Sequence, residues 1–234
     1  MQQKKLKVVV GRLVFGVVLA AALEVTGLAQ KYEAGAEFIT LVPQGEFKDN
    51  ISNNGYGGGG NFLVGLWRSP FLAGIDVGFV NYGSVGRSVP LAPTIPEVRV
   101  DVFNDNNIVL THFLLRAKPR HGTVQPYGDV LIGLKYLYTT TTVRGDSEND
   151  PIASDTNLSD TAFSYGVGGG LQVRVAKFSG TELMIDGGAR FLWGSHANYL
   201  KEGSITEING VPVFDVLSSR TDALTLRIGV TFRF

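Results

Sequence analysis

The chain has 234 residues, with 21 basic and 21 acidic side chains, so its formal charge is zero and a nucleic-acid partner is not expected. It has no cysteine, which excludes disulfide scaffolds, thiolate nucleophiles and cysteine-ligated metal sites together. Thirty glycines and fourteen phenylalanines against two methionines lean it toward β structure.

Residues 1–29 have the pattern of a signal peptide. Lys4, Lys5, Lys7 and Arg12 make a basic start, and "LVFGVVLAAAL" (13–23) is apolar but short for a bilayer span. Gly27 and Ala29 are the small residues before an expected cut after Ala29. Residues 30–234 then form one expected domain with seventeen basic and twenty acidic residues. No later stretch approaches the roughly 18–20 apolar residues of a transmembrane helix.

Eight stretches alternate with period two, as half-buried strands do. In chain order they are 31–42, 58–68, 71–83, 106–117, 125–139, 162–176, 182–194 and 222–234. The fourth can begin earlier, at "PEVRVDVF". Long connections after the first, third, fifth and seventh stretches alternate with three short ones, "SP", "KPRHGTV" and "KFSGT". That rhythm predicts an antiparallel meander with every long connection at one end.

The two faces of each stretch differ. In the fifth, Val130, Ile132, Leu134, Tyr136 and Tyr138 oppose Tyr127, Asp129, Gly133 and Lys135. In the sixth, Phe163, Tyr165, Val167, Leu171, Val173 and Val175 oppose Ser164, Gly166, Gly168, Gly170, Gln172 and Arg174. The seventh sets Leu183, Ile185, Ala189, Phe191 and Trp193 against Glu182, Asp186, Gly188 and Arg190. A soluble barrel would coat its outside with Lys and Glu, and would not leave three glycines on an exposed strand face. Charge and glycine are therefore expected inside, where glycine leaves room for long side chains opposite. The apolar face is expected in lipid, and strand edges in lipid must close into a ring. The reading is an all-β fold, an eight-stranded antiparallel up-and-down transmembrane β-barrel.

The interior of so narrow a barrel is filled by side chains. Glu33, Glu37, Asp76, Asp129, Glu182 and Asp186 are expected to meet Lys135, Arg174, Arg190, Arg227 and Arg233 there as a structural plug. In the fourth stretch the set Ile108, Leu110, His112, Leu114 and Arg116 is pointed inward, and Trp67 falls on the inward parity of the second. Tyr136, Tyr138 and Trp193 suit an aromatic belt at the long-connection rim, Phe232 and Phe234 one at the other rim.

These features together resemble the OmpA-like and OmpX-like outer-membrane β-barrels of Gram-negative bacteria, over the whole of 30–234. "VQPYGDVLIGLKY" and "RIGVTFRF" look most like the fifth and eighth strands of that family. The resemblance implies an exported protein set in outer-membrane lipid and lipopolysaccharide. It also implies that the barrel-assembly machinery recognises the last strand, with Arg227, Gly229, Phe232 and Phe234 as the assembly signal. The implied role is structural or adhesive, exerted through four surface loops on an extracellular ligand of unknown identity. A small-solute pore and a lipid-modifying enzyme are the alternatives, and a soluble lipocalin-like barrel is a weaker one. Larger members continue into a peptidoglycan-binding domain; the chain stops at Phe234, so cell-wall anchoring is not expected.

No chemistry competes with this. Of the three histidines, His112, His121 and His196, the last two have no Ser or carboxylate at the spacing a barrel hydrolase needs, so no catalytic residue and no enzymatic activity are expected. "GYGGGG" (55–60) and "GVGGG" (166–170) lack the Lys-Ser or Lys-Thr and the helix of a phosphate loop, so no cofactor is expected. Asp146, Glu148, Asp150, Asp155 and Asp160 make an acidic connection, read as a solvated mobile loop. It lacks the glycine of a calcium loop, so no metal is assigned.

Overall fold

The computed structural model describes residues 31–66, 69–92, 95–145, 153–201, 203–208 and 211–234. The leader, Trp67, Asp146, Glu148 and Asp150 lie outside the described residues. In chain order the elements are β1 (Tyr32–Pro43), α1 (Glu46–Asn50), β2 (Gly55–Gly65), β3 (Phe71–Ala92), β4 (Ile95–Ala117), β5 (Val124–Gly145), β6 (Ala153–Phe178) and β7 (Thr181–Gly194). Four short strands follow, β8 (His196–Tyr199), β9 (Ile205–Ile208), β10 (Val211–Phe214) and β11 (Leu217–Arg220), and then β12 (Ala223–Arg233). β1 to β7 and β12 close an eight-stranded antiparallel barrel in sequence order, and β12 pairs with β1 to seal it. At the seam the Phe234 amide donates to the Tyr32 carbonyl at 2.9 Å, and the Tyr32 amide donates back at 3.3 Å.

The alternation assigns the faces. On β5, Val130, Ile132, Leu134 and Tyr136 point out, while Asp129, Leu131, Lys135 and Leu137 are buried. On β4, Ile108, Leu110, His112, Leu114 and Arg116 are all buried, whereas Phe113 is 69% exposed. Ile228 on β12 is 63% exposed, between the buried Arg227 and a Gly229 that faces β1. A barrel standing in water would hide such side chains. This wall is fit for lipid, and the closed ring leaves no strand edge unpaired along it. Aromatic pairs ring it at the long-connection end: Tyr136 stacks on Tyr138 and Tyr165 on Trp193, each at 5.4 Å. At the other end Tyr32 stacks on Phe62 at 6.1 Å.

Three expectations need correction. The connections after the third and fifth stretches are mostly strand: β3 and β4 run 22 and 23 residues, β5 and β6 run 22 and 26. At about 3.3 Å per residue these strands far exceed the ~10 residues a tilted crossing needs. A curved four-stranded sheet therefore rises beyond the ring on one side only, because β1, β2, β7 and β12 have 11 to 14 residues. Asp155 and Asp160, read as part of a mobile loop, are residues of β6, and Asp160 accepts from the Asn198 amide at 2.8 Å. Finally, the first connection holds the helix α1, and the last holds the two small hairpins β8/β11 and β9/β10.

Candidate functional site

The lower half of the barrel, toward the short turns, is an ion-pair network. Arg116 lies over the Tyr127 ring, 3.7 Å from its centroid, and donates to both oxygens of Asp129, at 2.8 and 2.9 Å. Arg190 bridges Asp129 and Asp76, and Arg227 joins Asp76 to Glu37. Asp186 takes the Tyr127 hydroxyl at 2.7 Å and the Gln172 amide at 2.8 Å. Nearer the turns, Glu33 receives Arg233 and Lys118, and Glu182 receives Arg233 and Arg174.

All eleven charges expected in the interior project inward, with two differences in how they pair. Lys135 is buried but meets no carboxylate among the described residues; its ammonium donates to the carbonyl oxygens of Leu192 and Thr221, tying β5 to β7 and to the link between β11 and β12. Arg174 sits at the rim, with its side chain 31% exposed. Arg116 and Lys118 take part instead, so the six carboxylates meet the inward cations Arg116, Lys118, Arg174, Arg190, Arg227 and Arg233, and the exposed Lys177 reaches Glu182 at 3.8 Å. The signal for Lys118 was available. It continues the inward parity of 112, 114 and 116 into the turn. Of the assembly-signal residues, Phe232 and Phe234 lie on the outer wall, Arg227 is inside, and Gly229 faces Glu37 across the seam.

Inward glycines make the space for this network. The Tyr127 hydroxyl lies 2.5 Å from where a Cβ would stand on Gly170 or Gly188, and a Cβ on Gly168 would collide with the Arg190 stem. Gly170→Leu is expected to abolish the heat-modifiable gel mobility of the folded barrel. Gly58→Leu, whose nearest neighbour would be the Glu37 carbonyl oxygen at 3.5 Å, should retain it. Gly133 lies between His112 and Ser164 in the register and lets their side chains meet over it, Nε2 to Oγ at 3.0 Å.

The upper half is apolar. Ile39, Leu41, Val80, Ile108, Leu110, Leu137 and Leu192 belong to one buried cluster with Phe47 of α1. Phe47 packs edge-on against Tyr199 at 5.1 Å and tilted on Tyr82 at 6.1 Å, so the first connection stoppers the mouth. The interior is thus a paired polar plug under an apolar roof. The His112–Ser164 pair is sealed inside it.

Above the mouth, the inner face of the projecting sheet carries a polar ladder. Thr139 donates to Asn106 and Thr141 to Asn104, each at 2.6 Å. Among the described residues its two margins run on without a paired barrel strand, and β8 meets β6 near Asp160. β2 pairs with β3 only up to Asn81, and β7 pairs with β6 only from Ser164.

Fold and wall define a membrane-spanning β-barrel of eight strands. Among solved structures the chain is similar to Neisserial surface protein A, with 12% identity over 87% of this chain and 95% of that one, at a TM-score of 0.40. It is also similar to a major outer membrane protein from Thermus thermophilus, with 14% identity over 88% and 100%, at 0.39. A third is Ail, the attachment invasion locus protein of Yersinia pestis, solved with the heparin analogue sucrose octasulfate, with 14% identity over 88% and 97%, at 0.33. No protein-family model and no curated protein matches the chain.

Proposed function

We propose that this chain is a non-enzymatic outer-membrane protein that binds partners at the cell surface through its projecting sheet. The carrying observation is the one-sided extension of β3 to β6, whose margins run past the last residues that β2 and β7 pair and so leave room for an incoming extended segment. Those margins carry the devices that discourage indiscriminate pairing: Pro90 and a bulge after Asn81 on β3, and Asp155 and a bulge at Asn157 on β6. The export-type leader, the ring of apolar wall and the aromatic girdles support the outer-membrane location.

Charge narrows the partner. Residues 44–54, 81–107, 138–161 and 195–222, the long-connection end, hold fourteen Asp and Glu against six Lys and Arg. An acidic face steers cationic partners toward it and repels anionic ones. Cells displaying the chain are expected to adhere to polylysine-coated surfaces at low salt. Replacing Glu97, Asp101, Asp146, Glu148, Asp150 and Asp155 by their amides, which cuts the acidic excess at this end from eight to two, should lower adhesion about tenfold, in line with the steep gain charge steering gives to association. Equal adhesion by both forms sinks the reading. Purified protein in planar bilayers should give no unitary current steps, because the interior is plugged; regular steps would favour the small-solute pore.

A further inference from the structure

At the mouth, a cleft of about 300 Å³ opens between the first connection and the segment that follows β8. It is lined by Asp49, Asn50, Ser52, Asn53, Tyr82 and Lys201, with Ile51 as its one aliphatic side chain. We propose that this cleft binds a single uncharged saccharide unit. The inference rests on the outward orientation of this end, argued above, and names a second ligand class besides the partner of the projecting sheet.

The chemistry of the lining carries the choice. Amide and hydroxyl side chains each both donate and accept, a carboxylate accepts through two oxygens, and an ammonium only donates. Neighbouring sugar hydroxyls need that mixture, since each is a donor and an acceptor at once. An apolar ligand would cover the Asp49 carboxylate and the Lys201 ammonium without pairing either, at a cost for each polar group buried without a partner. An anion would face Asp49 and a cation would face Lys201, whereas a neutral polyol opposes neither. Among the described residues, neither of these two side chains is engaged in an ion pair or a side-chain hydrogen bond, so both are available to a ligand. The volume suits one sugar ring and stands at the small end of the ~300–1,000 Å³ of ligand pockets.

The floor is held before any ligand arrives. The Asn50 amide nitrogen donates to the Tyr199 hydroxyl at 2.9 Å. The Tyr82 hydroxyl donates to the Leu200 carbonyl at 3.1 Å, and Tyr199 and Tyr82 both pack on Phe47. A site whose side chains are already fixed loses less entropy on binding.

The test is saturation-transfer NMR on the full barrel in nanodiscs, with the methyl glycosides of glucose, galactose, mannose and N-acetylglucosamine as probes. At least one is expected to receive saturation, and both Ser52→Trp, which fills the opening, and Asp49→Ala should weaken its binding at least tenfold. Neither substitution touches the buried cluster, and heat-modifiable mobility checks that each variant is folded. No transfer to any probe, or binding indifferent to both substitutions, overturns the proposal. Competition by polysaccharide stripped from the producing cells, against glycans released from foreign glycoproteins, separates a self ligand from an external one; either result supports the site. Labelling of Ser52→Cys on intact cells with an impermeant maleimide reads the orientation separately. Its failure would overturn the surface reading while leaving the titration in nanodiscs to decide the saccharide.

Discussion

Asp129→Ala is expected to cost the folded barrel about 3–5 kcal/mol, the penalty for stranding a buried charge. The carboxylate holds Arg116 through both oxygens and takes Arg190 as well, and all three side chains are buried. Without it Arg116 keeps the Tyr127 ring and a 3.4 Å contact with Asp186, in a space that water does not fill freely. Urea titration of the protein refolded in lipid vesicles measures the loss. Raising salt should not mimic the substitution, since buried pairs are poorly screened. The double variant Asp129→Leu with Arg116→Met should recover part of the loss, because Arg116 is no longer stranded and Arg190, which loses Asp129 in both variants, keeps Asp76. A loss under about 1 kcal/mol for Asp129→Ala, the size of an exposed ion pair, would mean that the network is dispensable.

Removing Phe234 should cut the amount of folded barrel in the membrane at least tenfold. This residue supplies two backbone hydrogen bonds to Tyr32 and a lipid-facing ring at the end of the closing strand. Unpaired groups at a seam in hydrocarbon cost several kcal/mol each, so the ring closes poorly without them. Deleting Asn53, in the first connection, should leave assembly near normal. Phe234→Ala separates two causes. It keeps the seam backbone and removes the side chain, so it should assemble well if pairing dominates and fail like the deletion if the assembly machinery reads the ring. Equal assembly of the two deletions would refute both.

The period-two pattern predicted the barrel, its closure and the facing of β5, β6 and β7 because lipid and plug impose opposite demands on alternate residues. Val130 beside Asp129, or Ile228 beside Arg227, leaves no other arrangement. The same pattern was blind above the membrane. There β3 to β6 are wetted on both faces, as at Thr140 and Thr141, and the alternation that reveals a strand disappears. Pro90 and Pro96 read as loop residues, yet Pro90 lies on the free margin of β3, and Pro96 lies where β4 has no β5 beside it. A lost donor costs little in either place. Lys135 could be placed inside but not paired, since its carbonyl partners come from Leu192 and Thr221, which only the fold brings near. The saccharide cleft was invisible for the same reason. Asp49 and Lys201 are 152 positions apart and become neighbours only through the seating of Phe47.

The unequal height of the wall gives the molecule a front and a back in the plane of the membrane. β3 to β6 stand up as a screen behind the mouth, and β7, β12, β1 and β2 form a low sill in front. A large partner approaching sideways meets one or the other according to how the barrel has turned about its axis. Encounter is therefore gated by rotational diffusion in the bilayer, and dense packing against neighbours that fixes the barrel's azimuth would decide which copies can be engaged at all.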